Sequence, residues 1–280
     1  MSIKAIVTDI DGTLCSTQHG ILAKTRDALI DSQKNGIKLI LASGRPTAGM
    51  KWFADQLDLG KYGGYLAAYN GAEVVEYATG KVLHDDLLTG EEARSILNHA
   101  KNFELIPIIP TKDTLYGNEK DNMPFYFEQI NQTVQLLEQQ AKAVQLDLQL
   151  EDDVSKVIDF PVYKVILAGE ADYLKRYHQE IAAPFEGKLN SVFSAAVFFE
   201  FMSKNVDKST GIEKVFKKLN IDSKDTVAFG DNGNDLGMIK YAGTGVAMRN
   251  AVPELKDAAD IVTLSNNENG IAFTLEQLLS

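Results

Sequence analysis

Short apolar runs that stop at a polar residue and are followed by helix-patterned stretches recur at both ends of this chain, and that alternation constrains its fold more than any other feature. IKAIVTD, from Ile3 to Asp9, reads as a doubly covered strand. KTRDALIDSQKN then carries Ala28, Leu29 and Ile30 at helical spacing and stops at Gly36. IKLILA, from Ile37 to Ala42, is a second buried strand. It is followed by SGRP, a helical stretch through Trp52, Phe53 and Leu57, the run YLAAY, and the turn pair Asn70-Gly71. The pattern returns as STGIEKVFKKLN (helix), TVAFGD (strand), NDLGMIKYA (helix), TGVAM and DIVTL (strands) and a final helix to Leu279. Alternation of this kind predicts an α/β fold, a Rossmann-like parallel sheet with helices on both faces.

Between the two ends the texture changes. EVVEYATGKVLH predicts a hairpin, and Thr89 with Glu92 predicts a capping box opening the helix EEARSILNHAKN. After it come the strand IPIIP, a polar loop, a helix over QINQTVQLLEQQAKA, the strand VYKVILAG and a helix around Tyr173 to Ile181. A strand pair through Val192 and Phe198 to Phe201 leads back to the repeating pattern. The expected organisation is an α+β insertion over residues 85–188, set into a core formed by residues 1–84 and 189–280.

Composition narrows the partners. A formal charge of −11 and a pI near 4.9 argue against a nucleic-acid backbone or an anionic membrane surface, both of which need basic protein. Small metabolites and metal cations remain. Cys15 is the only cysteine, so no internal disulfide can form, and a reducing, cytoplasmic setting is expected. Asp9 and Asp11 interrupt the only candidate N-terminal apolar run, which leaves no signal peptide or membrane span to expect.

The chemistry gathers at the ends of the strands. Asp9 and Asp11 follow the first strand two residues apart, and strand alternation points them to one side, toward the crevice where open α/β sheets bind ligands. GDNGND, Gly230 to Asp235, follows TVAF in the same way. If those strands are neighbours, Asp9, Asp11, Asp231 and Asp235 converge. Four carboxylates in one crevice repel one another, and a hard divalent ion with oxygen ligands, Mg²⁺, relieves the repulsion. Ser43 after LILA, with the backbone at Gly44, offers a hydroxyl and amides at the same edge. Lys208 ahead of a helix offers a positive point charge. A metal, a lysine, a hydroxyl and a carboxylate nucleophile together describe phosphoryl transfer.

DIDGT at Asp9 to Thr13, Ser43, Lys208 and GDNGND resemble the four ordered motifs of the haloacid dehalogenase superfamily. NGA at Asn70 to Ala72 and the large insertion resemble its Cof-type, cap-bearing branch. The resemblance implies Asp9 as nucleophile, Asp11 as general acid and then base, and Ser43, Gly44 and Lys208 as phosphate-holding groups. It implies Mg²⁺ held by Asp9, the backbone carbonyl of Asp11 and Asp231, with Asp235 acting through water or orienting Lys208. Asn234 would hydrogen-bond near the phosphate, Arg45 would face substrate or pair with a cap carboxylate, and Asn70 is both a turn residue and a candidate substrate contact. One departure stands out: the family usually has glycine directly after the motif lysine, whereas here Ser209 follows Lys208 and glycine waits until Gly211, which leaves Lys204 as a rival.

The implied activity is Mg²⁺-dependent hydrolysis of a small phosphorylated metabolite, with sugar phosphates the leading class. A phosphomutase of the same fold, or a regulatory protein that binds a phosphorylated ligand without turnover, are the alternatives. Tyr116, Asn118 and Tyr126 in the insertion are candidates for substrate selection. His19, His84, His99 and His178 lack metal-ligand spacing and read as structural or solvent-exposed. Phe198, Phe199 and Phe201 read as packing, and Lys214, Lys217 and Lys218 as a solvated helix face.

Overall fold

Ala5–Thr8, three apolar residues and a threonine, form the strand on which the rest of the N- and C-terminal sequence is assembled, and all four are buried. The computed structural model describes residues 3–18, 20–122, 124–127 and 132–279; His19 and residues 129–131 of the expected QINQTVQLLEQQAKA helix lie outside them, and the side chain of Tyr126 is not described. Two units result, one from residues 1–85 and 207–280, the other from residues 86–206.

In the first unit an eight-stranded sheet runs in the order Ile261–Val262, Thr244–Ala247, Thr226–Gly230, Ala5–Thr8, Lys38–Ala42, Tyr65–Ala68, Glu73–Glu76, Lys81–Asp85. The first six strands are parallel, and the last two form the antiparallel hairpin expected from EVVEYATGKVLH. Both faces are covered, which is why the central strands read as continuous apolar runs. On one face Val7, Ile40, Ala67 and Ala228 pack against Ile212, Val215 and Phe216 of the Lys208–Leu219 helix and Met238 and Ile239 of the Leu236–Tyr241 helix. The alternate residues Ile6, Leu39, Leu41 and Phe229 are buried as well. The Ala23–Lys34 helix lies beside the Lys38–Ala42 strand and the Gly270–Leu278 helix.

The second unit has its own six-stranded sheet, in the order Asp147–Glu151, Thr114–Asn118, Ile106–Pro110, Val165–Ala168, Phe198–Ser203, Leu189–Ala195, and a separate hairpin of Pro124–Phe127 with Gln132–Gln135. Its core joins Ile109, Val165, Leu167, Phe199 and Phe201 to Ala93, Ile96 and Leu97 of the Gly90–Ala100 helix and Leu174 and Ile181 of the Ala171–Ala182 helix. Thr89 and Glu92 form the expected capping box. Two local expectations give way, and one strand joins the sheet from a segment to which no element was assigned. The polar loop after IPIIP contains the Thr114–Asn118 strand, DLQLE at Asp147–Glu151 is an edge strand parallel to it, and the helix over QLLEQQAKA begins only at Leu136. In each case a cross-strand partner overrides the local pattern. The Leu189–Ala195 and Phe198–Ser203 strands pair within this second sheet, so the break in the chain falls at Val206 and Asp207, not at residue 188. Among the described residues no helix is long and apolar enough to cross a membrane.

Candidate functional site

The site forms where the central strands stop. Asp9 is the first residue past Ala5–Thr8, and its N–H donates to the carbonyl of Phe229 at 3.0 Å, which anchors it beside the end of the Thr226–Gly230 strand. One residue beyond Gly230 comes Asp231. Asp235 folds back over Gly230, where a Cβ would lie 2.6 Å from Asp235 Cβ, so only glycine admits the approach. Asp235 accepts from the backbone N–H groups of Asp231 (2.9 Å) and Asn232 (3.0 Å). Lys208 enters from the first turn of its helix, whose cap is Asp207 accepting from Ser209 N–H and Thr210 N–H. Its ammonium donates to Asp9 at 2.6 Å and to Asp235 at 2.5 Å, and it is 1% exposed.

Carboxylate oxygens of Asp9, Asp231 and Asp235 all lie within 4.8 Å of one another. Burial pushes the Asp9 carboxyl well above its usual range; Lys208 works against that, and the neighbouring carboxylates of Asp235, Asp231 and Asp11 reinforce it. Burial likewise raises Asp231 to about 6, although a 2.7 Å hydrogen bond from the Thr13 hydroxyl opposes the shift. Burial alone would lower Lys208, but Asp235 and Asp9 outweigh it and hold the ammonium above its ordinary value. One lysine thus faces three clustered carboxylates, two of them short of positive charge. A divalent cation with hard oxygen ligands fits that donor set and would draw both back to their ionised forms.

Asp11 departs from the sequence expectation. The chain leaves the strand at Thr8 and turns at Gly12 (φ +83°), so strand alternation does not extend to Asp11. Three of the four acidic residues converge, and the carboxylate of Asp11 is held outside them by Arg45, whose Nε and Nη2 each donate to it at 2.7 Å. Within its own unit, Arg45 is thus partnered with Asp11. Gly12 packs on Asp231 so closely that a Cβ would meet its Oδ2 at 2.3 Å.

Ser43 is buried past the end of Lys38–Ala42, and its hydroxyl accepts from Arg45 N–H at 3.2 Å. Tyr69, Asn70 and Gly71 take positive φ in succession (50°, 58° and 88°), an uncommon conformation for a tyrosine and one held by burial on every side. That turn makes Asn70 a junction. Its N–H donates to Ser43 C=O at 2.8 Å, its Oδ1 accepts from Asn234 Nδ2 at 3.1 Å, and its side chain borders Gly44. Gly71 lies against Gly211, where a Cβ would meet Gly71 Cα at 2.7 Å. The helix thus needs its glycine at Gly211, and position 209 is free to be the serine that reinforces the cap. Lys204 is exposed in the other unit.

Sequence reasoning passed over Thr13, visible in DIDGT but given no task, and Asn250, whose Nδ2 donates to Gly12 C=O at 2.8 Å. In the second unit, Tyr116 packs near the Phe160 ring and Asn118 bonds Asp121 and Val154 N–H, so both contribute to that unit's own structure.

Known proteins resemble this chain over nearly its whole length. The family model of haloacid dehalogenase-like hydrolases matches residues 6–275. YxeH of Bacillus subtilis is 32% identical over 99% of this chain and 98% of its own length. The 5-amino-6-(5-phospho-D-ribitylamino)uracil phosphatase YwtE of Bacillus subtilis is 28% identical over 99% of each chain. A crystal structure of a haloacid dehalogenase-like hydrolase from Bacteroides thetaiotaomicron superposes with a TM-score of 0.86 at 30% identity, covering 99% of this chain and 100% of that one. A match across nearly the whole chain, together with a buried aspartate and lysine at the carboxyl ends of the parallel strands, makes this chain a member of the haloacid dehalogenase-like hydrolases and, among them, a phosphatase.

Proposed function

We propose that the protein hydrolyses a small phosphorylated metabolite, a sugar phosphate by preference, with Mg²⁺ and through an aspartyl-phosphate on Asp9. The observation that carries this reading is the buried Asp9 carboxylate, 2.6 Å from the Lys208 ammonium and grouped with Asp231. An acid buried at that cost, with a matched cation and a place for a second, is suited to attack phosphorus.

Asp9 and Asp231 would hold the ion with the backbone carbonyl of Asp11, while Asp235, already bonded to Lys208 and two backbone amides, orients the lysine. Bound Mg²⁺ supplies charge that lets a phosphate dianion enter an acidic crevice and stabilises the negative charge of the transition state. An Asp9 oxygen forms a bond to phosphorus as the bond from phosphorus to the leaving oxygen breaks, and Asp11 gives that oxygen its proton. Water then attacks phosphorus, Asp11 takes the proton, and Asp9 is released with inorganic phosphate. Lys208, the Ser43 hydroxyl and the amides near Gly44 and Asn234 hold the phosphoryl oxygens. To serve as acid, Asp11 must leave the guanidinium of Arg45.

The sugar-phosphate preference draws on YwtE, whose named substrate carries its phosphate on a ribityl chain. Residues 86–206 serve in this reading as the cap that selects the leaving group. The test is Mg²⁺-dependent release of p-nitrophenol from p-nitrophenyl phosphate by wild type and Asp9→Asn, followed by a panel of phosphorylated metabolites. Equal rates in the two proteins would sink the proposal.

A further inference from the structure

Two loops wall the acidic cluster, Asp9 to Thr13 on one side and Asp231 to Asp235 on the other. The last backbone bond that fixes their spacing is Asp9 N–H to Phe229 C=O at 3.0 Å. Beyond it, side chains tie the walls within the crevice, the Thr13 hydroxyl to Asp231 at 2.7 Å and Lys208 to both Asp9 and Asp235, while the rim at Gly12 has no such tie among them. A third segment spans them. After the Thr244–Ala247 strand the chain makes a tight turn closed by Ala251 N–H to Met248 C=O at 2.9 Å, and Val252 N–H then donates to the carbonyl of Asp231 itself at 2.9 Å. From the tip of that turn, Asn250 Nδ2 donates to the carbonyl of Gly12 at 2.8 Å, while Asn250 Oδ1 accepts from Asn266 N–H at 3.1 Å. Asn266 in turn donates through Nδ2 to Cys15 C=O at 2.8 Å. Only one orientation of the Asn250 amide serves both partners.

Asn250 is exposed at the rim, so it adds little to the core, yet it ties the backbone of one wall to the segment that grips the other. We infer that Asn250 is a positioning residue for the cation site: it sets the separation of the Gly12 and Asp231 loops, and with it the site's readiness for a divalent ion. The inference rests on the Mg²⁺ reading above. Gly12 makes the separation matter, because its Cα already abuts the Asp231 carboxylate and leaves no slack on that side. Ligand groups held to within roughly 0.5 Å bind a metal without first being ordered, and loss of a single hydrogen bond that does the holding weakens binding about fivefold.

The test titrates MgCl₂ calorimetrically into substrate-free wild type, Asn250→Ala and Asn267→Ala. The last variant loosens the same loop elsewhere, since Asn267 Oδ1 accepts from Thr17 N–H and hydroxyl at 3.0 and 3.1 Å. Expected are a Kd for Mg²⁺ about fivefold weaker in Asn250→Ala and a value within about twofold of wild type in Asn267→Ala. With substrate present, the Mg²⁺ activation constant rises by the same factor while kcat at saturating Mg²⁺ and KM stay put, a split that mere loss of stability does not produce. If Asn250→Ala does not fold, Asn250→Ser, too short to reach Gly12, carries the same expectation. Unchanged Mg²⁺ affinity in the Asn250 variant, or an equal loss in Asn267→Ala, overturns the inference and leaves the proposed activity standing. Wild type that binds no Mg²⁺ overturns both.

Discussion

Arg45 grips Asp11 with two parallel hydrogen bonds of 2.7 Å, and so holds that carboxylate outside the buried group formed by Asp9, Asp231 and Asp235. The pair is partly exposed, at 26% for Arg45 and 56% for Asp11, so it contributes at most about 1 kcal/mol to stability. Its importance lies in orientation. Arg45→Lys keeps the charge and loses the planar two-point contact that Asp11 must leave in order to act, and the expected result is a rise in kcat of about fivefold with the unfolding midpoint essentially unchanged. Steady-state kinetics beside a thermal melt measure both, and a kcat equal to wild type would remove Arg45 from the account.

Asp9→Asn removes the attacking oxygen's charge. Turnover is expected to fall by at least about 10³-fold. Because burial already disfavours the ionised Asp9, the same change is expected to leave the Mg²⁺-free protein as stable as wild type or more so. Urea unfolding in EDTA checks the second half; a marked loss of stability would show that the ionised carboxylate serves the fold first.

Lys208 is the cation bonded to two buried carboxylates, and Lys208→Met leaves Asp9 and Asp235 without it. Breaking a buried pair from one side costs about 3–5 kcal/mol. Activity and stability are both expected to collapse, whereas Lys204→Ala, at an exposed turn, is expected to change stability by less than about 0.5 kcal/mol. Circular dichroism melts of the two variants, run side by side, decide between the lysines.

Asp231 supplies a pH dependence whose sign can be worked out. Its carboxyl sits at about 6 in the folded chain against an ordinary 3.8, so the folded state holds the proton more tightly between those values. Its contribution is therefore favourable at low pH and is lost as pH rises through about 6, by about 2 kcal/mol at most once its partial exposure is allowed for. Asp9, also raised, acts in the same direction. In EDTA, the melting temperature is expected to drop by several degrees between pH 5 and pH 7.5, apart from any other titrating group. Mg²⁺ is expected to reverse the drop above pH 6, because the ion competes with the proton for the same oxygens. A flat profile in EDTA with no Mg²⁺ effect is the outcome that would count against this.

How much of this was legible beforehand depended on the range of the interaction. The Thr89–Glu92 capping box and the hairpin of Glu73–Glu76 with Lys81–Asp85 were readable because three- and four-residue contacts are written in adjacent letters. The Asp147–Glu151 strand was missed: its partner, Thr114–Asn118, lies some thirty residues away, and an alternating pentapeptide at a sheet edge has little signal of its own. The change of unit at Val206 was missed for a similar reason, since nothing in Phe198 to Ser203 tells which of two sheets will accept it.

By itself the sequence determined the alternation of strands and helices, the placing of Asp9, Ser43 and Asp231 just past apolar runs, and the residue types available for phosphoryl chemistry, because periodicity and polarity are local properties. Tertiary structure decided which of those acids meet. Asp9, Asp231 and Asp235 gather around Lys208 because parallel pairing brings strands more than two hundred residues apart into register, Ala5 beside Thr226. Asp11 goes instead to Arg45, and Asn250 to Gly12, because a left-handed turn at Gly12 redirects the backbone by steric rules that spacing along the chain cannot express.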